Sequence, residues 1–236
     1  YASVWYFIRE ITAEGIRENF DTLQRVAEGA AMMTDTTVSR RIIGAAWPRH
    51  FNRPIALAMD ENIKKIGLPT WSEDDQRFAK ALQTLMGADR PIGLATNLSG
   101  IGEPLPSPVS GGSDDIGDIS WNVPTVTLRY PANVGRLQGH HWSSAMAMAT
   151  PIAHKGAVAG AKVVATTMLD LIQNKSLIGD ALSYFDDVQT ADVKYVPFIG
   201  PDDAPAIEKN AEIMALFKDR LEELYYEPSR FDTYLD

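Results

Sequence analysis

Residues 36–54 read TTVSRRIIGAAWPRHFNRP. The first twelve, Thr36 to Trp47, are β-branched early and apolar late, which reads as a strand. Pro48 and Pro54 then break any regular pattern, which places a domain boundary between residues 48 and 50. Upstream, YASVWYFIRE opens the sequence with aromatic and β-branched residues, so residues 2–9 read as another strand. Starting inside a strand with no Met predicts a segment of a longer chain, although a processed terminus would read the same. Between these strands Thr12 can cap a helix over 13–33, with Ile16, Phe20, Leu23 and Ala27 at three- and four-residue spacing. Strand, helix and strand together predict a small α+β layer over residues 1–48.

Downstream, Pro54 suits the first turn of a helix striped by Ile55, Met59, Ile63 and Ile66 and ended by Gly67. Ser72 caps a further helix with acidic residues in its first turn, where the helix dipole favours them. Residues 99–118 read as a long loop of Gly, Pro and Ser. PTVTLRY (124–130) reads as a strand and KYVPFIG (194–200) as a short strand or extended arm. The helix expected over 152–173 carries Ala159, Gly160, Ala161 and Ala165, small residues suited to close packing on a sheet. A closing amphipathic helix has Ile213, Leu216, Phe217, Leu221 and Leu224 as its stripe. The predicted fold class is α/β.

Composition narrows the function. The chain has 236 residues, 45% hydrophobic and 22% charged, as in an ordinary globular protein. No apolar run approaches the roughly 18–20 residues of a membrane span, and no signal segment opens it. A net charge of −9 disfavours nucleic acid, which needs clustered Lys and Arg. The absence of cysteine excludes disulfides and thiolate metal sites and fits a reducing compartment, the cytoplasm. Any metal would be held by His, Asp or Glu, a donor set suited to zinc, manganese or cobalt.

Three of the four histidines fall in residues 138–156, QGHHWSSAMAMATPIAHKG. His140 and His141 end a loop, where imidazoles can be aimed at a metal. Alternatively, one histidine caps a strand end and the other faces solvent. His154, at a helix start, reads as a neutral hydrogen-bonding or packing residue, and His50 as a turn residue. The stretch GGSDDIGD (111–118) brings carboxylates at 114, 115 and 118 beside glycines. It fails the calcium-loop template and reads either as an Asx-rich turn or as an active-site rim. No nucleophile elbow, phosphate loop, dinucleotide fingerprint or zinc-helix motif is present.

Several stretches together resemble one group of enzymes. SDDIGDISWNVPTV (113–126), HHW (140–142) and AHKG (153–156) are similar to the signature of the p-aminobenzoyl-glutamate hydrolase B-subunit group, S-T-D-V-G-D-V-S-W, P-T-V, H-x-W and I-A-H-K-G. FIRE (7–10), RVAEGAAMMTDTTV (25–38), NRPIALAMDENIKKIG (52–67) and KYVPFIGPDD (194–203) extend the likeness over nearly the whole chain. This group belongs to the dinuclear metal carboxypeptidases and aminoacylases.

The resemblance implies the C-terminal part of a metallo-exopeptidase-like α/β catalytic domain (residues 50–236), preceded by part of an α+β lid that mediates homodimerisation (residues 1–48). It implies two divalent metals, Zn or Mn, per complete site and a small N-acyl or N-aroyl amino acid as substrate. It places the family's last metal ligand at His140, with His141 on a variable position. It puts Asp115 in the acidic loop near the metals, supporting rather than ligating, and matches Asn52 and Arg53 to an Asn-Arg pair at the lid junction. The Arg53 guanidinium could pair with a substrate carboxylate or serve a structural ion pair. The family's remaining ligands and its catalytic Glu lie upstream of everything here. The resemblance therefore implies no catalytic residue in this segment and an N-terminal segment or partner chain that completes the site. The alternative is a non-catalytic lid and dimerisation module, or an inactive fragment.

Overall fold

The computed structural model describes residues 1–102, 112–225 and 227–230. Every regular element among them is helical: α1 (Ala13–Met33), α2 (Arg53–Ile66), α3 (Glu73–Leu85), α4 (Ile116–Ser120), α5 (Trp142–Met148), α6 (Pro151–Gln173), α7 (Lys175–Tyr184) and α8 (Ala211–Glu222), with short 3-10 and π-helical turns. The α/β expectation is thereby overturned. Residues 2–9, 36–47, 124–130 and 194–200 carry strand-like composition but form no ladder. The physical reason is that a strand is defined by a backbone neighbour, and composition supplies only a surface that would suit one.

Elsewhere in the chain, side chains satisfy irregular backbone. On α3, Gln76 and Gln83 stand two turns apart and both reach the segment at 93–94. The Gln83 amide accepts from Gly93 N at 2.9 Å and donates to Gly93 O at 3.2 Å, while Gln76 accepts from Leu94 N at 2.8 Å and donates to Leu94 O at 3.2 Å. Two carboxamides thus do what a neighbouring strand would do. Gly93 has φ 74°, and a Cβ there would meet Gln76 Oε1 at 2.3 Å.

The helix ends follow the caps written in the sequence. Thr12 accepts from Gly15 N at the start of α1, and Asn52 accepts from Ile55 N at the start of α2. Ser72 and Asp75 form a reciprocal capping box on α3. The closing helix is shorter than the pattern predicts: a 3-10 turn (Ile207–Asn210) precedes α8. Of the loop expected over 99–118, residues 103–111 lie outside the described residues, and 116–118 begin α4.

The chain divides into two compact units. The first gathers residues 1–50, the described part of 103–125, and 189–225. Its centre is Trp47, only 2% exposed. The Trp47 ring lies 5.4 Å from Trp121, 5.0 Å from Tyr195 and 5.5 Å from Phe198, with the Arg17 guanidinium 5.3 Å over it. Each such ring pair adds about 0.5–1.5 kcal/mol beyond area burial. By contrast α1 and α8 bury none of their residues.

The second unit holds residues 51–102, 126–188 and the described part of 226–236. Helix α2 packs along α6 and α7, and α5 along α6. Ala79, Leu82, Leu94, Val134, Ala147 and Ile152 form its core. The small residues of α6 do pack closely, but on the irregular segment 128–132: a Cβ at Gly156 would stand 2.1 Å from Pro131 O, and one at Gly160 would stand 3.3 Å from Tyr130 Cβ.

Candidate functional site

The loop 133–144 is tied at several points. Asn133 folds back to accept from Val134 N at 2.7 Å and donates to Ser144 O at 3.1 Å. The Ser144 hydroxyl donates to Gln138 O at 3.2 Å. At the loop's end, His141 is the N-cap of α5: its Nδ1 accepts from Ser143 N at 3.3 Å and lies 2.9 Å from the Ser143 hydroxyl. Ser143 is fully buried. The Nδ1 lone pair is thereby engaged at the start of α5.

His140 differs from its neighbour in every respect. It is exposed, and no described residue hydrogen-bonds its imidazole. Its φ is 56°, in the left-handed region, as is that of Arg136 (φ 63°). Holding a non-glycine residue there costs on the order of 1–3 kcal/mol and persists only where the surroundings enforce it. Within the pair, His141 caps helix α5 and His140 is exposed.

Asn52 and Arg53 open α2 in the same unit. Asn52 is fully buried, and its amide accepts from Ile55 N at 3.3 Å and donates to Ala181 O at 2.9 Å. That side chain joins α2 to α7. Arg53 is half-buried in the first turn of α2.

The three loop acids of the first unit divide their work. Asp118 accepts from Trp47 N at 3.1 Å and from the Tyr195 hydroxyl at 2.9 Å. Burial, with the Asp118 carboxylate beside it, pushes the Tyr195 phenol above its ordinary value. Asp114 pairs with Arg49 at 3.6 Å, and Arg49 also donates to Gly112 O at 2.7 Å. Asp115 is exposed at the start of α4 and makes no side-chain cap bond. Of the three acids it alone holds no partner among the described residues.

The remaining histidines sit as follows. His50 donates its backbone N–H to Ser120 Oγ at 3.2 Å and sets its ring edge-on to Trp121 at 5.6 Å. Burial lowers its pKa. His154 lies exposed on α6.

A divalent-metal site can be tested against these placements. The His140 imidazole, accessible and without a partner among the described residues, fits a single ligand position. Among the described residues no three His, Asp or Glu side chains converge to hold a metal ion. Any other ligands would come from outside them.

Sequence reasoning does not find the ties from Asn133, Ser143 and Ser144, nor the Trp47–Asp118 bond. For the cap a signal exists, a polar residue just ahead of a short helix, but histidine is an uncommon N-cap. For Trp47 and Asp118, separated by 71 positions, spacing carries no signal.

The chain is 30% identical over 200 residues to the B-subunit of p-aminobenzoyl-glutamate hydrolase from Escherichia coli (strain K12), a match covering 75% of this chain. It spans 41% of that relative's length. No family model and no solved structure matches the chain. Among the described residues, no helix is long and apolar enough to cross a membrane.

Proposed function

We propose, on the premise that this chain belongs to the p-aminobenzoyl-glutamate hydrolase B-subunit family, that it forms part of an amide hydrolase acting on a small N-acyl or N-aroyl amino acid. In this reading His140 is a metal ligand, and a further segment or partner chain supplies the other ligands and the proton-transfer carboxylate. The relative is by name one subunit of a hydrolase, which supports a partner. Two divalent cations, Zn or Mn, would supply Lewis acidity and an activated water when bound. This chain's own residues would hold and orient. Arg53 would pair with a substrate carboxylate through its planar fork, and Asn52 would fix the start of the helix that carries Arg53.

The observation that carries the reading is His140 itself. Its backbone is held left-handed while its imidazole has no partner among the described residues. Strain with no structural return points to use of the side chain. The test is His140→Ala in the protein expressed from its native gene, with any partner chain that co-purifies. Loss of about one bound metal per site, together with p-aminobenzoyl-glutamate hydrolysis, supports the assignment. Unchanged metal content and turnover sink it.

A second reading, a dimerisation role for residues 1–48, is favoured by α1. That helix is 21 residues long, buries none of them, and leaves Val26, Met32 and Met33 exposed. Light scattering on a Val26→Lys, Met33→Lys variant tests it: a shift from dimer to monomer supports the role, and an unaltered mass removes it.

A further inference from the structure

We propose that the outward face of α6 is the docking surface for the further polypeptide that completes this protein. This rests on the reading that such a polypeptide exists, and adds where it lies. Helix α6 is 23 residues long, and one side of it is spent within its own unit. Ile152, Gly156, Gly160, Val163 and Thr167 are buried there, and α2, α5 and α7 pack against the helix. A helix with one partnered side ordinarily turns charge to water on the other. Neighbouring α2 does so, with Glu61, Lys64 and Lys65 exposed.

Helix α6 does not. Val158, Val164, Met168, Leu169 and Ile172 are 39–72% exposed, with exposed alanines at 157, 161 and 165 among them. Successive members stand three or four residues apart, so they form one continuous strip about 22 Å long. The single acid of the helix, Asp170, is turned aside, accepting from Asn62 Nδ2 on α2 at 2.6 Å. The Lys155 ammonium is likewise drawn off, to Asp75 on α3. His154 stands at the N-terminal end of the strip and Lys162 at its edge. A helix apolar on both sides is the pattern of one buried in a larger core, and a contiguous exposed apolar patch marks an interaction surface.

The chemistry of the strip selects its occupant. A small molecule would cover only part of such a length. Nucleic acid needs clustered cations, which the strip lacks. No described helix is long and apolar enough to cross a membrane. A polypeptide is favoured by length as well: the chain spans 41% of its B-subunit relative, so more than half of that relative lies outside the match. The occupant is an apolar, uncharged face of that further polypeptide, carried on the same chain or on a partner.

The experiment uses the protein from its native gene with any co-purifying partner chain. Photoreactive p-benzoylphenylalanine replaces Val164, Met168 or Ile172 one at a time, and mass spectrometry identifies the peptide each joins on illumination. The expected peptide lies outside residues 1–236 and aligns with the part of the B-subunit relative beyond the match. On the unsubstituted protein, peroxide oxidation of Met168 is expected at least about 10-fold slower than that of free methionine. Cross-links confined to residues 1–236, of the same chain or of a second copy, overturn the inference. So does the absence of any cross-link from all three positions. Oxidation of Met168 near the rate of free methionine also overturns it, and that measurement requires no variant to fold. His140→Ala separates this claim from the ligand reading. If that variant keeps its metal and turnover while the outside cross-links persist, the ligand reading falls and the docking surface stands. If it loses metal while the cross-links are missing, only the docking surface falls.

Discussion

The carboxylate of Asp118 accepts a hydrogen bond from the backbone N–H of Trp47 at 3.1 Å. Its other oxygen takes the Tyr195 hydroxyl at 2.9 Å, so one side chain joins three parts of the first unit that are far apart in sequence. Hydrogen bonds to charged groups contribute about 1.5–3 kcal/mol each. Asp118→Ala is expected to destabilise this unit by about 3 kcal/mol and shift tryptophan emission to the red as Trp47 gains water. Denaturant unfolding followed by fluorescence checks it, and a midpoint within error of the parent would contradict it.

Two glycines in helices should respond oppositely to alanine. At Gly156 a Cβ would sit 2.1 Å from Pro131 O and 2.5 Å from Ala132 Cα, both backbone atoms that cannot turn aside. Gly156→Ala is expected to cost about 2–3 kcal/mol by overpacking. At Gly179 in α7 nothing lies within 4 Å, so Gly179→Ala is expected to stabilise by about 0.5–1 kcal/mol through helix propensity. Paired melting curves decide it; a Gly156→Ala variant as stable as the parent would contradict the close α6 contact, and a destabilised Gly179→Ala would contradict the open space at α7.

The Gln83 side chain serves Gly93 N–H and C=O together and is itself fully buried. Gln83→Leu keeps bulk but leaves those two groups unpaired, each costing about 1–3 kcal/mol. The expected loss is about 2–4 kcal/mol, with faster amide exchange at Gly93 than at Leu94, whose partner Gln76 remains. Equal exchange at both positions in the variant would reject this division of labour.

Asp75 is 7% exposed on its side chain and bridged to Lys155. Burial works against its charge, but the Lys155 ammonium and the Ser72 donors outweigh burial and hold it below the usual carboxylate range. A depressed folded-state pKa contributes stability that is present above the unfolded value, about 3.9, and is lost as pH falls through the folded one. Stability of the second unit is therefore expected to fall below about pH 4, and Lys155→Met to flatten that slope. Unfolding free energies measured from about pH 2 to about pH 6 check it.

Local signals are legible where the chemistry is local. Thr12 and Ser72 announce their helices because a cap needs only a side-chain oxygen and an N–H a few positions on. Gly67 ends α2 at φ 72°, where glycine bears no penalty. The sheet expectation fails because the strand-like stretches specify only a preference for extended backbone, while pairing is a property of two segments at once. At 93–94 the partners are glutamines on α3, and no period in the sequence marks them as such.

The sequence by itself determined the longer helices, the caps at Thr12 and Ser72, and the stretches that place the chain in its family, since each rests on residues a few positions apart. Tertiary structure alone decided which of two adjacent histidines is spent as a cap and which faces outward. It also decided that Asp114 and Asp118 are taken by Arg49, Trp47 and Tyr195. Those outcomes depend on donors brought together across the chain, and one-dimensional spacing does not record who arrives at a given lone pair.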